Sequence, residues 1–280
     1  RVISSLNRIV GGSPAAPNQF PFMISLQQKS QVNTPTRGHR CGGALVSLRH
    51  AVTAASCIFD RQNGGLNPND YRVFAGAIDL TNDTSADHHR DIERFTQHPE
   101  FRPDATVNVN DIAVITLTSA FSSNNVQIVP LATNDVQQSL SYCTSSGWGA
   151  QNEANVASTQ LMHIQKFAMA DNIQCQSSVQ QQLPLQDTMI CGMALGSYSS
   201  CQGDIGNPLV CSGNLQGILI SPAYSSCSVL NQPPRPEIYT RISSFQSWIR
   251  TTAGASSFQP AMGVLAVITI VQIVMTNVLN

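Results

Sequence analysis

Eight cysteines are spread along these 280 residues, with no Cys-x-x-Cys or Cys/His grouping among them, and that even set narrows the choice of fold more than any other feature. Zinc sites draw their cysteines from close pairs, so this scatter reads instead as disulfides made in an oxidising compartment, and the protein as extracellular. The formal net charge is −1 and only 11% of residues are charged, against about 25% in an ordinary soluble domain. That balance argues against nucleic acid as a partner. Arg1-Val2-Ile3-Ser4-Ser5-Leu6-Asn7 lacks the apolar core of a signal peptide, so a secretory leader is expected to have been removed or left out of this sequence.

Short apolar runs such as Phe22-Met23-Ile24-Ser25-Leu26, Ala51-Val52-Thr53, Ile112-Ala113-Val114-Ile115-Thr116-Leu117, Gly217-Ile218-Leu219-Ile220 and Ile238-Tyr239-Thr240-Arg241-Ile242 alternate with Gly, Asn, Asp and Pro clusters. These are strand and turn signals, and they predict an all-β chain folded as two antiparallel barrels. Near the end, Phe245, Trp248 and Ile249 share one face at i, i+3 and i+4, which predicts a helix over 244–250.

The stretch Cys201-Gln202-Gly203-Asp204-Ile205-Gly206-Asn207-Pro208-Leu209-Val210-Cys211 resembles the C-x-G-D-S-G-G-P-L-V-C loop of chymotrypsin-like (trypsin-fold) serine proteases. Arg8-Ile9-Val10-Gly11-Gly12, followed by Pro21-Phe22 and Cys41-Gly42-Gly43-Ala44-Leu45-Val46, resembles the activation junction and first strands of that family. The resemblance spans about 9–250 and implies two six-stranded barrels, 9–131 and 132–250, closed by a C-terminal helix, with 1–8 as a pro-segment and 251–280 as a separate hydrophobic tail. It also implies four disulfides: Cys41 with Cys57, Cys143 with Cys211, Cys175 with Cys191, and Cys201 with Cys227.

The catalytic positions depart from the family. Val52-Thr53-Ala54-Ala55-Ser56-Cys57 carries Ser56 where the family has its general-base histidine, and Ile205 stands where it has the nucleophilic serine. A hydroxyl does not titrate near neutral pH as an imidazole does, and a hydrocarbon has neither lone pair nor removable proton. Asp111 matches the third triad member and is left with no imidazole to orient. The amides of Gly203 and Ile205 match the oxyanion hole. With Asn207 also replacing a glycine, the three departures together read as a natural pseudoprotease that binds a protein partner, needs no cofactor and holds no metal. Weak hydrolysis by another group in the same cleft is the alternative.

The specificity pocket is altered as well. Ser199 falls at the position that sets primary specificity in the family, but Pro222 stands on the wall and Glu237 replaces a glycine that keeps the pocket open. Arg8, Ile9 and Asp204 keep the activation switch, in which a newly freed α-amino group pairs with a waiting carboxylate.

Outside these motifs, Asn82-Asp83-Thr84 is a glycosylation sequon. His88-His89 with Asp79, Asp83, Asp87 and Asp91 reads as a solvated acidic loop, and His39, His50, His98 and His163 as surface or satisfied groups. Residues 262–279 are largely apolar behind the small residues Ala253-Gly254-Ala255-Ser256-Ser257. A lipid-anchor signal, a membrane span and an amphipathic helix all remain open for this tail, the first two of which tether the protein to a membrane.

Overall fold

A computed structural model describes residues 12–60, 62, 64–82, 85–103, 107–122, 126–135, 142–150, 158–169, 175–176, 185–195, 199–222 and 236–254. Arg8, Ile9, Cys227 and the tail at 262–279 lie outside this set.

Among the described residues, nine strands come from the first half of the chain: β1 (Ser13–Pro14), β2 (Met23–Gln28), β3 (His39–Ser47), β4 (His50–Thr53), the short pair β5 (Phe59–Asp60) and β6 (Gly64–Gly65), β7 (Tyr71–Ala75), β8 (His89–Gln97) and β9 (Ala113–Leu117). Six of them close a barrel in the order β2-β3-β4-β9-β8-β7. The ring shuts where Ile24 pairs with Ala75 across β2 and β7. Ile24, Leu26, Leu45, Val52, Val73, Val114 and Ile115 are fully buried within it, which is why these strands read as nearly continuous apolar runs.

The second half supplies β10 (Tyr142–Gly147), β11 (Met162–Met169), β12 (Met189–Ala194), β13 (Pro208–Cys211), β14 (Asn214–Ser221) and β15 (Pro236–Arg241). They run β11-β10-β13-β14-β15-β12, a second antiparallel ring closed by β11 on β12, with β1 added beside β11. The β13–β14 hairpin turns through Ser212 and Gly213, both at positive φ (49° and 77°), the two-residue geometry whose twist matches the flanking strands. A bulge between Leu219 and Ser221 shifts β14 against β15.

The terminal helix α1 (Ile242–Thr252) buries Ile242, Phe245 and Ile249. It docks on the first barrel through His98, whose ring lies edge-on to Phe245 at 5.0 Å and Trp248 at 4.9 Å. Between the barrels, the fully buried Trp148 packs with Met23, Phe74 and Leu161 and donates its indole N–H to the Ile78 carbonyl at 3.0 Å.

Three disulfides are present as the family resemblance implied: Cys41–Cys57, Cys143–Cys211 and Cys175–Cys191. The first and third each span 16 residues, a loop length for which cross-linking contributes about 3 kcal/mol. Cys201 is disulfide-bonded too. Asn82 is exposed on its loop.

Candidate functional site

The three triad positions meet in the seam between the barrels. Ser56 sits in a single turn (Ala55–Cys57) directly after β4, and its backbone N–H donates to Asp111 Oδ1 at 2.7 Å. Asn108 Nδ2 donates to Asp111 Oδ2 at 2.9 Å, and Thr240 Oγ1, from the second barrel, donates to the Asp111 carbonyl at 2.7 Å. Burial raises the Asp111 carboxyl above the usual range, and these N–H groups only partly oppose it. Ile205 arrives from the other side: its carbonyl accepts from Gly42 N at 3.0 Å and lies 3.7 Å from Cys57 Sγ, while its side chain packs on the hydrophobic core that both barrels contribute to. Asp111 is therefore a buried carboxyl with a hydrogen-bond donor on each oxygen, beside Ser56.

The turn that carries Ile205 is firmly held. Gly203 takes φ +88°, a conformation open to glycine at little cost. Its carbonyl accepts from His39 Nε2 at 2.9 Å, and His39 Nδ1 accepts from Ser25 Oγ at 2.7 Å. Burial pushes the His39 imidazole down to about 4, so the ring is neutral and donates through Nε2. His39 is thus a satisfied structural group and not a replacement base. Among the described residues, the amides of Gly203 and Ile205 make no backbone hydrogen bond.

Asp204 is fully buried beneath this turn and collects three N–H groups: Gly149 N at 2.9 Å and Asn207 Nδ2 at 2.8 Å on Oδ1, and Cys201 N at 2.8 Å on Oδ2. The approach is close enough to require glycine on the facing strand and loop. A Cβ at Gly147 would stand 1.8 Å from Asn207 Nδ2, and one at Gly149 would stand 2.3 Å from Asp204 Cγ. Burial raises the Asp204 carboxyl to about 6, and no cation of the described residues bonds it.

A pH dependence follows. A carboxyl at about 6 when folded and about 3.9 when unfolded binds its proton more tightly in the folded state. Its contribution is therefore fully present below about pH 4 and is lost as pH rises to about 6. The uncleaved chain is expected to lose ~3 kcal/mol across that window from this group. Melting curves against pH for the wild type and Asp204→Asn check this: the variant should lack that part of the slope, and equal slopes would assign it elsewhere.

Of the residues expected to form the specificity pocket, Ser199 and Glu237 are buried among hydrogen-bonded side chains. Glu237 on β15 reaches Lys166 on β11, and both are fully buried. Ser200 N donates to Glu237 Oε1 at 2.6 Å, and Ser200 Oγ and Tyr239 OH donate to Oε2 at 2.9 and 2.7 Å. The Lys166 ammonium spends its three N–H bonds on Glu237, Ser200 Oγ and Tyr239 OH. Burial alone would raise the Glu237 carboxyl, but the Lys166 charge and these donors outweigh it and hold it below the usual range. Burial pushes the Lys166 amine down while Glu237 pulls it back; with every donor and acceptor matched, the pair is ionised. Tyr239 is held well above its ordinary range by burial and by the Glu237 charge, so its hydroxyl keeps its proton and donates. Ser199, also buried, donates to the Ser200 carbonyl at 2.9 Å. Pro222 follows the last residue of β14 and is half-buried.

The sequence pointed to Glu237 as an obstruction but not to Lys166, Ser200 and Tyr239 as its partners. Among the described residues, no group of His, Cys, Asp and Glu side chains is placed to hold a metal.

Two closed barrels with this loop in their seam define a trypsin-like serine protease domain. The chain belongs to the trypsin family, which matches it over residues 9–249. It is similar to trypsin of Sus scrofa (30% identical, covering 89% of this chain and 97% of that one) and to trypsin alpha of Drosophila melanogaster (32%, covering 89% and 88%). In three dimensions it is similar to neuropsin, a serine protease expressed in the limbic system of mouse brain, at a TM-score of 0.71 with 25% identity, covering 87% of this chain and 99% of that one. A trypsin-like domain closed by disulfides is typical of secreted or extracellular proteases.

Proposed function

We propose that this chain is a non-catalytic member of the trypsin family, acting outside the cell as a binding partner or cofactor of another protein. One observation carries the reading: the residue beside the Asp111 carboxylate, where a general base would stand, is Ser56, and the position where attack would start is the hydrocarbon of Ile205. Loss of base and nucleophile leaves only substrate binding and the oxyanion donors, worth about 10³ to 10⁴-fold over water in enzymes so stripped. The test is incubation with peptide and ester substrates together with a serine-directed phosphonate. No labelling and no inhibitor-sensitive turnover are expected. Stoichiometric labelling would establish the weak-hydrolase alternative.

The activation switch belongs to the same reading. Asp204 has neutral donors and a raised pKa, so an incoming α-ammonium of Ile9 would lower that pKa and stabilise the turn bearing Ile205. Cleavage after Arg8 then orders a binding surface without creating activity. Its signature is a flattening, in the cleaved chain, of the Asp204-dependent slope described above.

A further inference from the structure

We propose that the specificity pocket is a carboxylate receptor which the chain fills with its own Glu237, so that the pocket's floor recognises anions and its occupant is intramolecular. The proposal rests on the reading of a closed pocket in a non-catalytic domain and names the ligand class that pocket is built for.

Four donors converge on one carboxylate from two strands and a loop: Ser200 N and Oγ from the segment preceding Cys201, Tyr239 OH from β15, and Lys166 Nζ from β11. The two carboxylate oxygens receive different sets, with the backbone amide on Oε1 and the hydroxyls and ammonium on Oε2, which fixes the plane of the group. Lys166 is itself oriented by Ser200 and Tyr239, so the receptor's cation keeps two of its three bonds when Glu237 is removed. Gly192 on the adjoining β12 lets Tyr239 pack closely: a Cβ there would stand 2.9 Å from Tyr239 Cε2, and 3.5 Å, an ordinary contact, from Lys166 Cδ. The donors are therefore placed by strands and packing and not by Glu237 alone. What Glu237 supplies is the anion.

Removing the side chain at 237 leaves a cavity with the shape and charge of its missing fragment, for which propionate is the matching free molecule. Glu237→Gly should be destabilised and then restored by propionate. The expected rise in melting temperature is about 5–10 °C at a hundredfold excess over Kd, and it should saturate. The neutral isostere propionamide should give little or no rise at equal concentration. Lys166→Met/Glu237→Gly should lose the preference for propionate. Wild type should show no propionate dependence beyond that of chloride. If Glu237→Gly does not fold in plain buffer, refolding yield in propionate against propionamide becomes the readout. Equal effects of the two compounds, or none from either, on melting or on yield would overturn the proposal. Such a failure leaves the non-catalytic reading intact, because that reading is measured on the wild type with phosphonate and substrates.

Discussion

The Ser56→His/Ile205→Ser variant is expected to be labelled by a small serine-directed phosphonate and still to hydrolyse peptides at least ~10³-fold more slowly than an open-pocket trypsin. The two outcomes separate because they ask for different parts of the site. Labelling needs the nucleophile, an imidazole oriented by Asp111, and the amides of Gly203 and Ile205. Asp111 is in place, held by Asn108 and by the Ser56 backbone, and the turn carrying position 205 is fixed by His39 on Gly203 and by the donors on Asp204. Peptide turnover needs, in addition, a pocket that holds the residue before the scissile bond, which on the proposed reading Lys166 and Glu237 fill. Remote binding energy that normally contributes to the transition state is then absent. Adding Glu237→Gly to the pair of substitutions should raise hydrolysis, and preferentially for substrates with an acidic side chain before the cleaved bond. Full turnover by the two-substitution variant would show that the pocket opens on its own; absence of labelling would show that the triad frame has not been preserved.

The residues that revealed the fold in the sequence were those whose chemistry serves geometry. The cysteines, the short apolar runs and the i, i+3, i+4 stripe of α1 each impose a local arrangement that holds whatever the protein does. The replaced positions were equally legible, because Ser56 and Ile205 stand inside segments that otherwise match their family. What was not legible was pairing across distance. Lys166 looks like an ordinary outward residue of a polar strand next to Gln165. Its phase says otherwise, since Met162, Ile164, Lys166 and Ala168 alternate onto the same buried face. A lysine in phase with apolar neighbours, together with a glutamate in place of a pocket glycine, was a signal of opposite charges meeting inside. Reading it required the contact of β11 with β12 and of β12 with β15, which no local pattern encodes. Asn207 was visible only as a departure from glycine. Its role as a donor to Asp204 depends on the space left by Gly147 and Gly149.

Lys166→Met should be among the most destabilising single changes in the second barrel, lowering the melting temperature by about 10–15 °C. The reason is the charge left behind. Glu237 would keep the Ser200 and Tyr239 donors but lose its counter-ion in a fully buried site, and breaking a pair of this kind costs about 3–5 kcal/mol. Glu237→Leu should cost a similar amount by stranding the ammonium. The double variant Lys166→Met/Glu237→Leu should recover most of either loss, because removing both charges also removes the desolvation penalty that each one pays, and only the hydroxyls of Ser200 and Tyr239 remain to be satisfied. Glu237 further gives the wild type an acid-labile component. With its folded pKa held below the unfolded value of about 4.3, that component is fully present above about pH 4.3 and is lost as pH falls through the folded pKa. Asp204 acts with the opposite sign between about pH 4 and 6, so the two are separable in one pH series. Thermal melts of the four proteins at pH 7, repeated below pH 4, complete the cycle. Additive single losses in the double variant would mean that Lys166 and Glu237 are not energetically paired, and the account of a pocket closed by its own ion pair would fall with that result.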